Sequence, residues 1–371
     1  MALRDNGAMT RAELARFAGV APSTVTALVR DLIRDGIVVD SFADQTPTMN
    51  RSGRRGQGVT LNPSAGAVVG VDFGFRHLRV VLCDLGHNIV AASEVFLNEG
   101  HEANVALGIT RDLIDQTLSE AGIPRASLIG AGVALPGPIR HEASDQVLSS
   151  SVLPGWNGVT STEIERRLGL PVRVDNDSNL AALGEHTWGS AKGTMSCIVV
   201  KFHSGIGSGL VVNGTLVRSM GGVGEIGHTT VDERGPLCRC GKRGCLDSFS
   251  SIPSILESLR PQHGDINLRE LMGLLGQGDL GAIRVVSDAA ELVGTVLASA
   301  CNLLAPQKIV VVGAMTEAGD VILEPIRSAI ARNIGPGSIP EVVFGSLGNR
   351  HTAMGGVAMA LEENEWFAHI A

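Results

Sequence analysis

The sequence lacks an apolar run long enough to span a membrane. Its longest apolar stretches, such as KIVVVGAM, have the length of a β-strand, whereas a transmembrane helix needs about 20 apolar residues. The N-terminal segment MALRDNGAMTRAEL contains acidic residues and has no apolar core, so it does not match a signal peptide. We therefore expect a cytoplasmic protein without a membrane partner.

The sequence also has few cysteines. Three of the six are clustered, and the other three, Cys83, Cys197 and Cys301, are isolated in apolar surroundings. This usage suits a reducing compartment better than a disulfide framework. We expect the isolated cysteines to be buried packing residues.

An excess of positive charge is absent as well, because the net charge of the 371 residues is −8. That value argues against a general polyanion binder. The first 60 residues contain eight Arg or Lys and six Asp or Glu, so they carry +2 and the remaining residues carry −10. A locally basic head on an acidic body favours a regulator built from two parts. The length predicts two or three domains.

One cluster of metal-binding residue types stands in the run GHTTVDERGPLCRCGKRGC. Zinc prefers four soft or borderline ligands in a tetrahedron, and three thiolates with one imidazole supply them. The run therefore predicts a structural zinc site with His228, Cys238, Cys240 and Cys245 as ligands. The alternative is a loop with reduced, unliganded cysteines.

The head has the order of elements of a winged helix-turn-helix. Thr10 and Glu13 form a capping-box pattern at the start of a first helix, which Gly19 ends. A second helix starts near Pro22 and has an apolar face, and a strand and a hairpin with an arginine-rich tip follow. Ala21, which precedes the second helix, offers no side-chain cap.

The segment ELARFAGVAPSTVTALVRDLIRDGIV closely resembles the winged helix-turn-helix family. The resemblance implies that the second helix lies in the major groove of operator DNA and that the hairpin tip reaches phosphates or a minor groove. The expected DNA-binding residues are Ser23, Thr24, Thr26 and Arg30 on the helix and Arg51, Arg54 and Arg55 on the wing. The alternatives are a small helical packing module and a solvated arginine loop.

From Val68 onward, apolar strands alternate with helices, which predicts an α/β fold with ligand groups at the strand ends. GVDFG and FHSGIGSG are both glycine-rich turns after strands and suggest two related lobes. The motifs GVDFGFRH, VALPGPI, DNDSNLAALGE and GEIGH, together with CRCGKRGC, resemble the ROK family of sugar kinases and sugar-responsive repressors. The resemblance covers residues 63–371 and implies a two-lobed, actin-like domain. The winged head places the chain in the repressor branch.

The resemblance also implies a sugar site between the lobes. Carboxylates and amides hold the hydroxyls of a sugar, because each buried hydroxyl needs a hydrogen-bond partner. The expected sugar-binding residues are Asn176, Asp177, Glu225 and His228. In the family, the histidine gives one ring nitrogen to zinc and the other to the sugar, so the metal orients it. The alternative for Asp177 and Glu225 is a helix cap or a surface acid.

Asp177 stands where the kinases of the family have their general base. The two phosphate loops differ from the kinase patterns DxGGT and GTGxGGG, because they read DFGFRH at 72–77 and HSGIGSG at 203–209. In the first loop a bulky Phe and an Arg replace a small residue and a hydroxyl, and in the second His203 and Ser208 replace two glycines. Side chains thus occupy space in which backbone amides would approach phosphate. We therefore expect no ATP cofactor and no kinase activity. Asp247 also differs from the glutamate usual in relatives.

These features predict a winged head at 1–62, a first lobe at 63–180 that the helix at 353–371 completes, and a second lobe with the zinc loop at 181–352. The predicted function is a sugar-responsive DNA-binding regulator, most simply a repressor of carbohydrate metabolism genes, that acts as a homodimer or homotetramer. The alternatives are an ATP-dependent sugar kinase with a DNA-binding head and a sugar-site protein whose head docks onto a partner protein.

Overall fold

The computed structural model describes residues 2–42, 57–141, 146–147, 150, 152–218, 222–337 and 339–362. The helices in this part of the chain are α1 (Ala2–Asn6), α2 (Arg11–Ala18), α3 (Pro22–Arg34), α4 (Ala103–Ala121), α5 (Ser161–Leu168), α6 (Asp177–Thr187), α7 (Asp247–Ser250), α8 (Ile252–His263), α9 (Leu268–Gly276), α10 (Leu280–Leu304), α11 (Asp320–Asn333) and α12 (His351–Glu362). The strands are β1 (Met9–Thr10), β2 (Val38–Phe42), β3 (Gln57–Leu61), β4 (Ala67–Phe73), β5 (His77–Asp84), β6 (Ile89–Phe96), β7 (Leu128–Leu135), β8 (Ile139–Arg140), β9 (Gln146–Val147), β10 (Val172–Asn176), β11 (Cys197–Phe202), β12 (Ile206–Val212), β13 (Thr215–Leu216), β14 (Lys308–Val312) and β15 (Glu341–Phe344).

The head is a winged helix-turn-helix, as the sequence predicts. The capping box at the start of α2 is confirmed: the Thr10 hydroxyl accepts from the Glu13 amide at 3.3 Å, and the Glu13 carboxylate accepts from the Thr10 amide at 2.8 Å. Gly19 ends α2 with a φ of 66°, and α3 begins at Pro22 without a side-chain cap from Ala21. The strands β2 and β3 form the antiparallel arms of the hairpin, and β1 adds a third strand beside β3 that the sequence did not indicate.

Two five-stranded sheets with the same topology form the body. Their orders are β10-β7-β4-β5-β6 and β15-β14-β11-β12-β13. In each sheet, the first strand of the lobe pairs antiparallel with the next strand in sequence and parallel with the strand that returns after a helix. The two related lobes that the glycine turns suggested are therefore confirmed.

Each sheet is covered on one face by helices from its own lobe. The apolar residues of α4 and α5 pack on the first sheet, and those of α8, α10 and α11 pack on the second. Cys83, Cys197 and Cys301 are buried packing residues, as expected. No helix of the described residues combines the length and the apolar character that crossing a bilayer requires.

Two helices, α6 and α12, cross each other between the two sheets. The helix α6 follows β10 of the first sheet but packs on β11 and β12 of the second, whereas α12 follows β15 of the second sheet and packs on β4 and β7 of the first. Glycines allow this close approach: a Cβ on Gly132 would overlap the Gly356 carbonyl, and one on Gly355 would overlap the Leu180 carbonyl. The contact fixes the N-terminus of α6 at the opening between the sheets.

We predict that Gly355→Ala destabilises the protein by about 1–3 kcal/mol, because the added methyl group must displace the backbone of α6 in a packed interior. Thermal unfolding of the full chain measures the effect. The control is Gly108→Ala in α4, where no heavy atom of the described residues lies within 4 Å of the position of the new Cβ. There we expect a gain of about 0.5–1 kcal/mol, since alanine favours a helix over glycine. Equal effects of the two changes would contradict the close packing of α6 and α12.

Candidate functional site

The ends of four structural elements meet in the opening between the two sheets. Asp72 is near the end of β4, Asn176 ends β10, Asp177 begins α6, and Lys201 is near the end of β11. A cleft lies beside Asn176. It is lined by Pro138, Ile139, His141, Asn176, Asn179, Gly222, Val223 and Glu225. The polar lining makes the cleft a candidate site for a small hydroxylated ligand.

Asn176 is the N-cap of α6. Its side-chain oxygen accepts from the amides of Ser178 at 2.8 Å and Asn179 at 3.3 Å, and its Nδ2 donates to the Gly137 carbonyl at 2.9 Å. Two lone pairs and one of its two N–H groups are thus in use. Asn176 therefore combines the helix-cap role with one remaining donor for a ligand in the cleft.

Asp175, directly before this cap, forms a buried polar network beneath the cleft that the sequence reasoning missed. The Asp175 carboxylate is fully buried and accepts from Arg218 Nε at 2.6 Å and Asn179 Nδ2 at 2.8 Å, and His141 Nε2 lies 3.3 Å away. Burial opposes its ionisation, but the His141 hydrogen bond and the Arg218 charge outweigh it and lower the pKa of Asp175. The network joins two lining residues of the cleft to the start of α6.

Asp177 is paired with a lysine that the sequence reasoning also missed. Lys201 Nζ lies 2.6 Å from Asp177 Oδ2, and both side chains are largely buried. Burial alone would lower the pKa of Lys201, but the attraction of Asp177 and Asp72 raises it above the usual lysine value. The signal in the sequence was a single lysine inside the apolar strand CIVVKF. The candidate base is therefore already held by a cation of the chain.

Asp72 in the first glycine loop is also neutralised by side chains of the protein. His77 Nε2 lies 3.0 Å from Asp72 Oδ2, and Arg79 NH1 donates to the same oxygen at 3.4 Å. Burial opposes ionisation of Asp72, but the charge and hydrogen bond of His77, with Lys201 and Arg79, hold its pKa well below the usual range. The His77 ring lies directly against Gly74, at the position a Cβ would occupy. The His77 side chain therefore packs against the backbone of this loop.

Arg76 does not take part in this cluster. Its side chain is exposed and forms an ion pair with Glu99 on the surface. The structure brings His77 and Arg79 to Asp72 instead. The reason is the strand β5, whose alternating side chains carry His77 and Arg79 on the same face.

A buried histidine holds the first loop from behind. Trp156 Nε1 donates to His101 Nδ1 at 3.3 Å, and His101 Nε2 lies 3.1 Å from the Gly74 carbonyl. An indole nitrogen can only donate, so Nδ1 accepts and the ring proton is on Nε2. Burial lowers the pKa of His101, in agreement with a neutral ring. This chain of hydrogen bonds fixes the loop that ends at His77.

Glu225 lines the opposite side of the cleft from the second lobe. Burial, with the negative charges of Asp177 and Asp247, raises the pKa of Glu225 to about 7. Its Oε2 lies 3.9 Å from His228 Nε2. The structure thus brings Asn176, Glu225 and His228 to one region, with Asp177 adjoining Asn176 at the start of α6.

His228 and the three clustered cysteines could hold a metal ion. One ligand atom from each lies within 4.8 Å of the others. His228 Nδ1 is 3.7 Å from Cys238 Sγ, and Cys240 Sγ is 3.7 Å from Cys245 Sγ. The second ring nitrogen of His228 lies 3.9 Å from Glu225, which lines the cleft, so the imidazole stands between the cysteine cluster and a residue of the candidate ligand site.

Asp247 connects the cysteine loop to the second glycine loop. It is buried, accepts from the Ile206 amide at 2.8 Å and forms an ion pair with Arg239 at 2.9 Å. Arg239, between two of the cysteines, also donates to the Ser204 carbonyl at 2.7 Å. The shorter acid at this position therefore packs the cysteine loop against residues 204–206.

On the head, the four helical residues expected to contact DNA are all exposed on α3. They are Ser23, Thr24, Thr26 and Arg30. The Thr26 hydroxyl donates to the Pro22 carbonyl at 2.8 Å and can still accept. The wing residues Arg51, Arg54 and Arg55 lie outside the described residues.

Comparison with known proteins assigns a family to each part of the chain. A model of the ROK family matches residues 68–363, and a model described as winged helix-turn-helix DNA-binding matches residues 2–39. The xylose repressor of Bacillus spizizenii is 28% identical over 361 residues, which are 96% of this chain and 92% of that protein. The glucokinase of Halalkalibacterium halodurans is 30% identical over 312 residues, which are 78% of this chain and 93% of that protein.

Among solved structures, a ROK family transcriptional regulator described as a homolog of the E. coli MLC protein has a TM-score of 0.80 at 23% identity. The match covers 97% of this chain and 93% of that one. It extends over both the head and the body and supports the winged, two-lobed actin-like architecture.

Proposed function

The chain belongs to the ROK family, and we propose that it is a DNA-binding transcriptional regulator, most simply a repressor of carbohydrate metabolism genes, that responds to a sugar or sugar derivative. One observation carries the proposal. A winged helix-turn-helix head is joined to a body of the sugar-kinase type whose candidate base, Asp177, is engaged by Lys201. The full-length similarity to a xylose repressor supports the same function.

The sugar would bind in the cleft between the lobes. Glu225 and Asp177 offer acceptors, Asn176 offers one amide donor, and the cleft side of His228 offers a ring nitrogen. Each vicinal hydroxyl of a sugar needs such a partner when it leaves water. The four residues therefore fit a small polyol better than an apolar ligand.

Zinc is the metal that best fits the cysteine cluster. In a tetrahedral site with zinc–sulfur bonds near 2.3 Å, two sulfurs are separated by about 3.8 Å, and the separation of Cys240 Sγ and Cys245 Sγ is 3.7 Å. A closed site of three thiolates and one imidazole is a structural site. When bound, the ion would fix the orientation and tautomer of His228 toward the cleft.

A sugar kinase with a DNA-binding head is the second candidate. The retained Asp177 and the similarity to a glucokinase favour it. Against it, His77 covers Gly74, and Lys201 holds Asp177 Oδ2. We therefore propose that the chain binds sugar without transferring phosphate.

Control of DNA binding would operate through a homodimer or homotetramer. A ligand changes operator affinity only if it binds one lobe arrangement more tightly than another. In a symmetric oligomer, such a change would move two heads out of register with two half-sites.

We predict that the full-length protein binds a duplex selected from random-sequence DNA and that one sugar or phosphosugar, from a panel that includes D-xylose and D-glucose, changes this affinity about tenfold or more. A fluorescence-anisotropy titration measures it. Asp177→Asn should abolish the sugar response but leave DNA binding, because the residue lies in the body. A response unchanged in this variant would contradict the assigned site.

Arg30→Ala, Arg54→Ala and Arg55→Ala should each weaken operator binding. Each lost phosphate contact should also reduce, by about 1, the slope of the logarithm of the binding constant against the logarithm of the salt concentration. Arg284→Ala, an exposed arginine on α10 of the body, is the control. Salt-insensitive binding that tolerates all three head variants would instead support docking of the head onto a partner protein.

We predict no sugar-dependent ATP hydrolysis or phosphosugar formation with the same panel, because the phosphate side of the cleft is occupied by the chain itself. A coupled ADP assay with the glucokinase of Halalkalibacterium halodurans as positive control tests this. Robust turnover that Asp177→Asn abolishes would establish the kinase alternative.

We predict about one zinc ion per chain in protein purified without added metal. Cys245→Ala should lose the metal and lower the melting temperature by several degrees, since metal binding contributes to folding. Cys301→Ala, which removes a buried thiol outside the cluster, should keep the metal. A metal-free protein with the same melting temperature in chelator would support the alternative of unliganded cysteines.

A further inference from the structure

Lys201 reaches from one lobe to the acidic groups of the other. It belongs to β11 of the second sheet, whereas Asp72 is near the end of β4 of the first sheet and Asp177 follows β10 of the first sheet. The Lys201 ammonium is 2.6 Å from Asp177 Oδ2, and it is coupled electrostatically to Asp72. The ion pair therefore links β11 of the second sheet to the residue at which the chain leaves the first sheet and enters α6.

Both carboxylates are paired with other side chains of the protein. Asp177 pairs with Lys201, and Asp72 pairs with His77 and with Arg79, which also forms an ion pair with Glu94 at 2.8 Å. Two further histidines lie near them and remain neutral. Burial, followed by the charge of Lys201, lowers the pKa of both His203 and His351 to about 3.

Removing one member of such a set leaves a buried charge without its partner, which costs far more than an exposed pair contributes. In phosphoryl-transfer enzymes, metal ions neutralise the charge at the corresponding site. Here the chain supplies that neutralisation itself. The Asp177 carboxylate keeps one oxygen for a ligand: Lys201 takes Oδ2, and within the described residues Oδ1 has only a 3.4 Å contact from the Ser178 hydroxyl.

We propose that Lys201 is a positioning residue of the sugar site: its ammonium joins the second lobe to Asp177 of the first and presents Asp177 Oδ1 to a sugar hydroxyl without a nucleotide or a divalent metal. The proposal rests on the proposed function for its sugar part. The ion pair between the lobes can be tested in the sugar-free protein.

The first test is a double-mutant cycle on the thermal stability of the full chain without sugar. Lys201→Met should lower the melting temperature by on the order of 5 °C, because it leaves two carboxylates short of one cation. Lys201→Met combined with Asp177→Asn should recover most of this loss, and Lys201→Arg should keep most of the stability. Lys308→Met is the control, since Lys308 on the neighbouring β14 forms a more exposed pair with Glu341 at 3.0 Å. If Lys201→Met and Asp177→Asn had additive effects on the melting temperature, the interlobe ion pair would be overturned.

The second test is calorimetric titration with the sugar that changes operator affinity. Lys201→Met should reduce sugar affinity about tenfold, whereas Lys201→Arg should stay within about threefold of the wild type. Magnesium chloride with ATP should leave the affinity of the wild type unchanged. Wild-type affinity in Lys201→Met, or a requirement of the wild type for magnesium and ATP, would overturn the positioning role. If no sugar binds the wild type, the proposed function fails, and the double-mutant cycle still tests whether the interlobe ion pair exists.

Discussion

The close crossing of α6 and α12 between the two sheets is the constraint on which the rest of the body depends. Each helix follows one sheet and packs on the other, and backbone meets backbone at Gly132 with Gly356 and at Leu180 with Gly355. A packed interior switches between discrete arrangements and does not deform continuously, so in this arrangement the start of α6 is held in place relative to both lobes. That position brings the Asn176 cap and Asp177 to the cleft.

The cleft combines this rigid frame with charges that the chain neutralises internally. In a phosphoryl-transfer site, acidic residues face a metal ion and a nucleotide that enter from solution. Here Lys201, His77 and Arg79 take that place, and His77 covers Gly74. On the other side, Asp247 and Arg239 pack the cysteine loop against residues 204–206. Side chains from both lobes therefore hold the candidate site in place, which supports the proposal of a sensing site.

The sequence indicated those features that depend on residues close together in the chain. The capping box of Thr10 and Glu13 and the cluster of His228 with three cysteines are local, so spacing alone predicted their geometry. Lys201 was missed because its partners, Asp72 and Asp177, are far from it in the chain. His77 is only five residues from Asp72, but only the turn between β4 and β5 brings its ring back to that carboxylate. The packing of α6 on the sheet of the other lobe was also missed, because it depends on contacts between residues far apart in the chain. The two-lobed architecture was predicted because glycine turns repeat in both halves.

The connection between head and body decides how a ligand in the cleft could affect DNA. The strand β3 ends at Leu61, and β4, the central strand of the first sheet, begins at Ala67. Asn62 ties the two sides of this short link, because its Nδ2 donates to the Gly36 carbonyl at 2.7 Å and its Oδ1 accepts from the Ser64 amide at 3.1 Å. Pro63 restricts the same link. A movement of the first lobe against the second would thus reach the head through a stiff joint. Because coupling between two sites is reciprocal, operator DNA would in turn favour one arrangement of the lobes across the Lys201–Asp177 pair.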